Sequence, residues 1–187
     1  MHPMSEFLRE KGHAVYEFRP NYLGPNPKSR LRINTNWDSY AADAQALIAH
    51  ILRREPKDRF YIVAISLGAN IARRFAEEAK DGQIQGLVMI SAAFAVNQGF
   101  MDELKTQGIE APTSLYAEDD TQTVTLPTLW LSGTEDKVID PKRNEILRGS
   151  VFVGRNTVVD VKGVEHGLSR DPRTWEAVSE WLEMAQV

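Results

Sequence analysis

A serine between two predicted elements is the first residue whose surroundings suggest chemistry. Ser66 follows an uncharged run rich in β-branched and aromatic residues, Phe60–Ile65, and precedes a segment with apolar residues every four positions. A serine on such a strand-to-helix turn projects its hydroxyl at the positive end of the helix. Ala64 and Gly68 are small, as a close backbone approach at this turn would require. The pattern predicts a serine nucleophile; the alternative is a serine that only caps the helix.

A serine nucleophile needs a base to remove its proton, and two later residues have the right types. Asp136 and His166 each follow a predicted strand, at Thr128–Ser132 and Thr157–Val161 respectively. Histidine accepts a proton readily at neutral pH, and a carboxylate partner fixes its tautomer and supports its charge. Because ligands gather at the carboxyl ends of the strands in open α/β sheets, we expect the three side chains at one edge.

The elements that must position these residues alternate between strand and helix. Strands are predicted at His13–Phe18, Phe60–Ile65, Ile84–Ser91, Thr128–Ser132 and Thr157–Val161. Helices are predicted at Ser5–Lys11, Trp37–Arg54, Asn70–Lys80, Pro141–Leu147 and Trp175–Met184. The alternation predicts an α/β fold, with a mostly parallel sheet and helices on both faces. We expect a single domain over residues 1–187, in which residues 92–125 are a candidate cap or lid.

The amino-acid composition limits the partners, cofactors and cellular location to be expected. A net charge of −4 without a basic tract gives no reason to expect nucleic acid or an anionic membrane as partner. The absence of cysteine excludes disulfides, thiolate metal sites and cysteine nucleophiles. No apolar run approaches the roughly 18 residues of a membrane span, and no signal pattern opens the chain, so a cytoplasmic protein is expected. No phosphate-binding glycine motif follows a strand, which disfavours a nucleotide cofactor; no cofactor or metal is expected.

Three motifs together resemble those of the α/β-hydrolase family, over nearly the whole chain. Residues 64–68, Ala-Ile-Ser-Leu-Gly, resemble the family's G-x-S-x-G nucleophile elbow, with alanine replacing the first glycine. Residues 133–138 followed by Pro141 resemble its acid loop, G-x-x-D-x-V and then proline. Residues 163–167 resemble the loop that carries its histidine, often G-x-x-H.

The resemblance implies a serine hydrolase that cleaves a small-molecule carboxylic ester or thioester through an acyl-enzyme. It assigns attack to Ser66, general base and then acid catalysis to His166, and orientation of the imidazole to Asp136. Glu135 and Asp140 are the alternatives for the acid. The alternative function is a non-catalytic or truncated hydrolase-fold protein that acts by binding.

The start of the chain departs from the family pattern. The family fold has further strands before the first helix, and a His-Gly loop that supplies one N–H to the oxyanion hole. This chain opens Met-His-Pro-Met, which predicts an N-terminally shortened fold with Leu67 and Met4 as the backbone oxyanion donors. A missing interior strand would leave the run Phe60–Ile65 with an unpaired edge, so self-association is also expected.

Overall fold

A parallel sheet lies at the centre of the protein. The structure, a computed structural model, describes residues 2–18, 37–78, 82–94, 99, 102, 105–106, 123–139 and 141–185. The strands in these ranges are β1 (Phe60–Ile65), β2 (Ile84–Ile90), β3 (Thr128–Gly133) and β4 (Asn156–Val161). The α-helices are α1 (Pro3–Glu10), α2 (Trp37–Arg54), α3 (Gly68–Glu78), α4 (Pro141–Ser150) and α5 (Pro172–Ala185), and a 3₁₀ helix covers Leu168–Arg170.

The strands pair in chain order, β1-β2-β3-β4, and every pair is parallel. Ile65 is aligned with Ile90, and Ile90 with Leu131. At the end of the next pair, Gly133 is aligned with Val161. The carboxyl ends of all four strands therefore meet at one edge of the sheet, where the side chains that follow them can converge.

Alternate residues of the strands build two separate hydrophobic cores, because successive side chains point to opposite faces. On one face, Leu87, Met89 and Trp130 pack with apolar residues of α2 and α3. On the other face, Val88 and Ile90 pack with apolar residues of α1 and α5. The predicted α/β class, a parallel sheet with helices on both faces, is confirmed.

The predicted strand at His13–Phe18 is wrong, since these residues form no strand and pair with no strand of the sheet. Hydrogen bonds to residues at or near α1 hold the segment instead. The Arg9 guanidinium donates from Nη2 to the Val15 carbonyl at 2.7 Å, and the Glu17 carboxylate accepts from the His2 backbone N–H at 3.1 Å. The segment is thus tied to α1 rather than to the sheet.

The other predicted elements that can be checked are present. Helix α2 has the predicted bounds, and α1 ends before Gly12, whose φ of +91° suits glycine at a helix end. Strand β1 pairs only with β2 among the described residues, so the expected self-association through its edge stays a prediction. Most of the candidate cap at 92–125, together with Asp140, lies outside the described residues.

Candidate active site

Ser66 stands at the turn between β1 and α3 in a conformation that serine rarely adopts. Its φ is +52°, in the left-handed region that costs a residue with a Cβ roughly 1–2 kcal/mol. The turn is held on both sides, because the Ser66 N–H donates to the Ile90 carbonyl at 2.9 Å and its own carbonyl accepts from Ala69 at 3.0 Å and Ala93 at 3.1 Å. Ser66 is therefore held in a strained turn between strand and helix by hydrogen bonds from both sides.

The small neighbours of Ser66 differ in their role. Ala64 is 5% exposed and packs in the core on the α3 face of the sheet. A Cβ placed on Gly68, however, meets nothing within 4 Å in the described part of the chain. The close approach that we expected at Gly68 is therefore not seen.

His166 lies in the loop after β4 and contacts both of the other predicted site residues. Its Nε2 is 2.9 Å from Ser66 Oγ, and its Nδ1 is 2.9 Å from Asp136 Oδ2. A carboxylate can only accept, so Nδ1 carries the proton and donates to Asp136. The Nε2 lone pair is then directed at the Ser66 hydroxyl, which is the arrangement required for removing its proton.

The Asp136 carboxylate is fixed in a turn that follows β3. Its Oδ1 accepts hydrogen bonds from the Val138 and Ile139 backbone N–H groups at 2.9 and 3.2 Å. Burial alone would raise the pKa of Asp136, but the hydrogen bond and charge of His166, together with these two N–H groups, hold the pKa below its ordinary value of 3.8. Asp136 therefore stays ionised beside the imidazole at neutral pH.

The loops that carry the acid and the histidine are built against each other. The Glu135 N–H donates to the Val164 carbonyl at 3.1 Å, and the Gly163 N–H donates to Thr134 Oγ1 at 3.0 Å. A Cβ on Gly133, the last residue of β3, would clash with the Val164 carbonyl. The spacing between the two loops therefore depends on glycine at position 133.

The alternatives to the predicted residues are placed differently. Glu135 is exposed, and its neighbour Asp136 is the residue that contacts the imidazole. His2 caps α1, where its Nδ1 accepts from the Met4 N–H at 3.3 Å. His50 is exposed on α2.

The two predicted oxyanion donors also differ in their surroundings. The backbone N–H of Leu67 follows the nucleophile directly and donates to no acceptor within the described ranges. The N–H of Met4 is directed to His2 in the first turn of α1. Helix α1 packs against the 3₁₀ helix Leu168–Arg170, which begins two residues after His166.

The segment that follows β2 was predicted only as the start of a candidate cap, and it is hydrogen-bonded to Ser66. Ser91 is 3% exposed, has φ of +45°, and its Oγ has no hydrogen-bond partner among the described residues. The next two carbonyls accept from side-chain amides: Asn144 Nδ2 donates to Ala92 at 2.7 Å and Asn70 Nδ2 to Ala93 at 3.0 Å. Nothing in the sequence distinguishes these asparagines from ordinary polar helix residues.

Comparison with known protein families shows which family this chain belongs to. A family model described as serine aminopeptidase, S33, matches residues 2–116, and the chain belongs to this family of α/β hydrolases. The match includes Ser66 but ends before Asp136 and His166. No protein of curated function matches the sequence.

Solved structures share the α/β-hydrolase fold at low sequence identity. A metagenome-derived lipolytic enzyme of the pair LipS and LipT superposes with a TM-score of 0.72 at 17% identity, covering 98% of this chain and 86% of that one. A monoacylglycerol lipase of Paleococcus ferrophilus gives 0.58 at 23% identity, covering 78% and 76%. An esterase of Exiguobacterium antarcticum gives 0.55 at 14%, covering 79% and 74%.

The described residues hold no cluster of three or more histidine and carboxylate side chains that could bind a metal ion. The described helices include none whose length and apolar character would allow it to cross a membrane.

Proposed function

We propose that the protein is a serine hydrolase that cleaves a carboxylic ester or thioester of a small molecule through an acyl-enzyme. The observation that carries the proposal is the continuous hydrogen-bonded line from Ser66 Oγ through His166 to Asp136, with both distances at 2.9 Å. A surface histidine with a structural role would not need contacts at both ring nitrogens with a strained serine and a buried carboxylate. Family membership supports a hydrolase, and the lipolytic and esterase neighbours share the fold.

In the first half of the reaction, Ser66 Oγ attacks the substrate carbonyl carbon while its proton passes to His166 Nε2. The imidazolium that forms is stabilised by Asp136, which holds the Nδ1 proton. The carbonyl oxygen becomes an oxyanion, and the Leu67 N–H is the donor at the start of α3, where the helix dipole favours negative charge. The carbonyl–oxygen or carbonyl–sulfur bond then breaks, and His166 returns the proton to the leaving alcohol or thiol.

In the second half, water attacks the acyl group on Ser66. His166 Nε2 takes a proton from this water, a second oxyanion forms, and the bond to Ser66 Oγ breaks as the proton returns to that oxygen. The acid product leaves and the free serine is restored. We propose Met4 as the second oxyanion donor; the His2 side chain, which now accepts this N–H, must then move aside for the substrate oxygen.

A fluorophosphonate probe tests the proposal directly, because it reacts with a serine only when a base has activated the hydroxyl. We expect one adduct per chain by intact mass, located on Ser66 by peptide mapping, and none in Ser66→Ala. A set of p-nitrophenyl esters, acyl thioesters and aminoacyl anilides then shows which bond is cleaved, the last being the bond suggested by the family's description. A properly folded protein that does not react with the probe would instead support the non-catalytic alternative.

A further inference from the structure

The backbone of Ser66 is hydrogen-bonded not only within its own turn but also to the segment of residues 91–93, which follows β2. This segment provides the N–H that donates to the Ser66 carbonyl, from Ala93 at 3.1 Å. The residue before it, Ile90, provides the carbonyl that accepts the Ser66 N–H. A serine at φ +52° keeps that conformation only if its surroundings determine it, so the position of this segment sets the position of the nucleophile.

The segment is itself not held by regular sheet pairing. The ladder between β2 and β3 ends at Ile90 and Leu131, and the chain then turns at Ser91, a second non-glycine residue with positive φ. Beyond the Ser91 N–H, which donates to Leu131 at 2.9 Å, side-chain amides hold the chain. Residues 92 and 93 are therefore held by these side-chain amides together with their burial and the Ala93 N–H bond to Ser66.

Of the two side-chain amides, Asn70 holds the residue that is hydrogen-bonded to Ser66. It is the third residue of α3, is 7% exposed, and donates from Nδ2 to the carbonyl of Ala93, which is 1% exposed. Its own backbone N–H donates to the Leu67 carbonyl at 3.3 Å. Asn70 thus connects Leu67, whose N–H is the proposed oxyanion donor, to the segment that is hydrogen-bonded to Ser66.

We propose that Asn70 is a positioning residue for the nucleophile, acting through Ala93. This inference rests on the proposed function, because it concerns how Ser66 and the Leu67 N–H are aimed at the reacting carbonyl. A buried hydrogen bond of this kind is shielded from water, and its loss leaves the Ala93 carbonyl unpaired. The segment then relaxes and the strain at Ser66 is released, which shifts Oγ away from His166 Nε2.

The variant Asn70→Asp keeps the shape of the side chain but replaces the donor with an acceptor facing a carbonyl. A displacement of about 1 Å at a reacting group lowers a rate by roughly 100-fold, so we expect kcat to fall by about 10- to 100-fold. KM should remain close to the parent value, because the substrate-binding surface is not altered. The rate of labelling by a fluorophosphonate should fall in parallel with kcat.

A second asparagine provides the matched control. Asn156, at the amino end of β4 and so at the opposite edge of the sheet, donates from Nδ2 to the Phe152 carbonyl at 2.7 Å and accepts from Trp130 Nε1 at 3.0 Å. The variant Asn156→Asp also removes an amide donor to a backbone carbonyl, at an exposed position far from the site, so it should lower the Tm while leaving kcat and the labelling rate at parent values. All rates are measured well below the Tm of each variant.

The outcomes separate this inference from the proposed function. If the parent reacts with the probe and Asn70→Asp keeps the parent's kcat and labelling rate, Asn70 is only structural and the inference is overturned. If the folded parent does not react at all, both the proposed function and this inference fail. Should Asn70→Asp not fold, Asn70→Ser is judged by the same two rates, and a parent-like value again overturns the inference.

Discussion

Asp136 Oδ2 accepts a hydrogen bond from His166 Nδ1 at 2.9 Å, while Oδ1 of the same carboxylate is held by two backbone N–H groups. The carboxylate therefore cannot rotate away from the imidazole without losing three hydrogen bonds. With the side chain of Asp136 only 8% exposed and that of His166 29% exposed, the acid is enclosed and the base remains reachable from solvent. This asymmetry suits an orienting acid beside a base that must exchange protons with substrate and water.

Asp136→Asn should lower kcat by about 10⁴-fold, because an amide at this position donates to Nδ1 and imposes the wrong imidazole tautomer. Steady-state kinetics on the best ester substrate measures the effect. The control is Glu135→Gln, which changes the exposed neighbour and should leave kcat nearly unchanged. A larger loss in Glu135→Gln than in Asp136→Asn would show that the acid has been assigned to the wrong residue.

The stability of the fold should depend on Asp136 at acid pH. Because its folded-state pKa lies below the ordinary value of 3.8, ionised Asp136 stabilises the fold above that pH, and this contribution is lost as the pH falls through the folded pKa. Urea denaturation over this range should show a steeper fall in the free energy of unfolding for the parent than for Asp136→Asn. Asp160→Asn, at an exposed position of β4, controls for the loss of one charge. Equal slopes in parent and Asp136→Asn would contradict the prediction.

Gly133→Ala should lower both the stability of the protein and its rate of ester hydrolysis. The added methyl group meets the Val164 carbonyl and forces the acid and histidine loops apart; overpacking of this kind costs about 1–3 kcal/mol. We expect a lower Tm and a reduced kcat from differential scanning fluorimetry and ester kinetics. Gly149→Ala is the matched control, since a Cβ there meets nothing within 4 Å. Parent-like activity in Gly133→Ala would mean that the loops can separate without disturbing the site.

The strain at Ser66 should be visible as a difference between two inactive variants. Ser66→Ala keeps a Cβ at φ +52°, whereas Ser66→Gly removes it, so the glycine variant should be more stable by about 1 kcal/mol. Urea denaturation of the two variants measures the difference, and both should lack esterase activity. If the alanine variant were the more stable one, the left-handed conformation at this position would cost nothing measurable.

The parts of the fold that could be predicted from sequence are those in which a local pattern and burial agree. The run Phe60–Ile65 is apolar and uncharged, and it forms a strand with the predicted bounds. The segment His13–Phe18 is apolar at four of its six positions but forms no strand, and Tyr16 remains 55% exposed. Strand preference depends on neighbours for pairing and packing, and here Arg9 and Glu17 provide local partners instead.

The candidate site likewise has parts that the sequence predicts and parts that it does not. Ser66, Asp136 and His166 could be predicted because each follows a strand and belongs to a short motif, and the structure brings the three together. The positions of Asn70 and Ser91 beside this site could not be predicted, because they depend on contacts between segments distant in sequence. Asn70 reaches Ala93 across 23 residues, and no periodicity or spacing encodes that contact.

The separation of Ser66 and His166 by 100 residues has a consequence during synthesis of the chain. A ribosome adds about 5–20 residues per second, so the serine is made roughly 5–20 s before its base exists. Chains arrested ahead of position 166 should not react with a fluorophosphonate, whereas released chains should. Under the proposed function, the nascent polypeptide carries an ordinary alcohol for that interval, and the serine becomes reactive only when the histidine loop has been made.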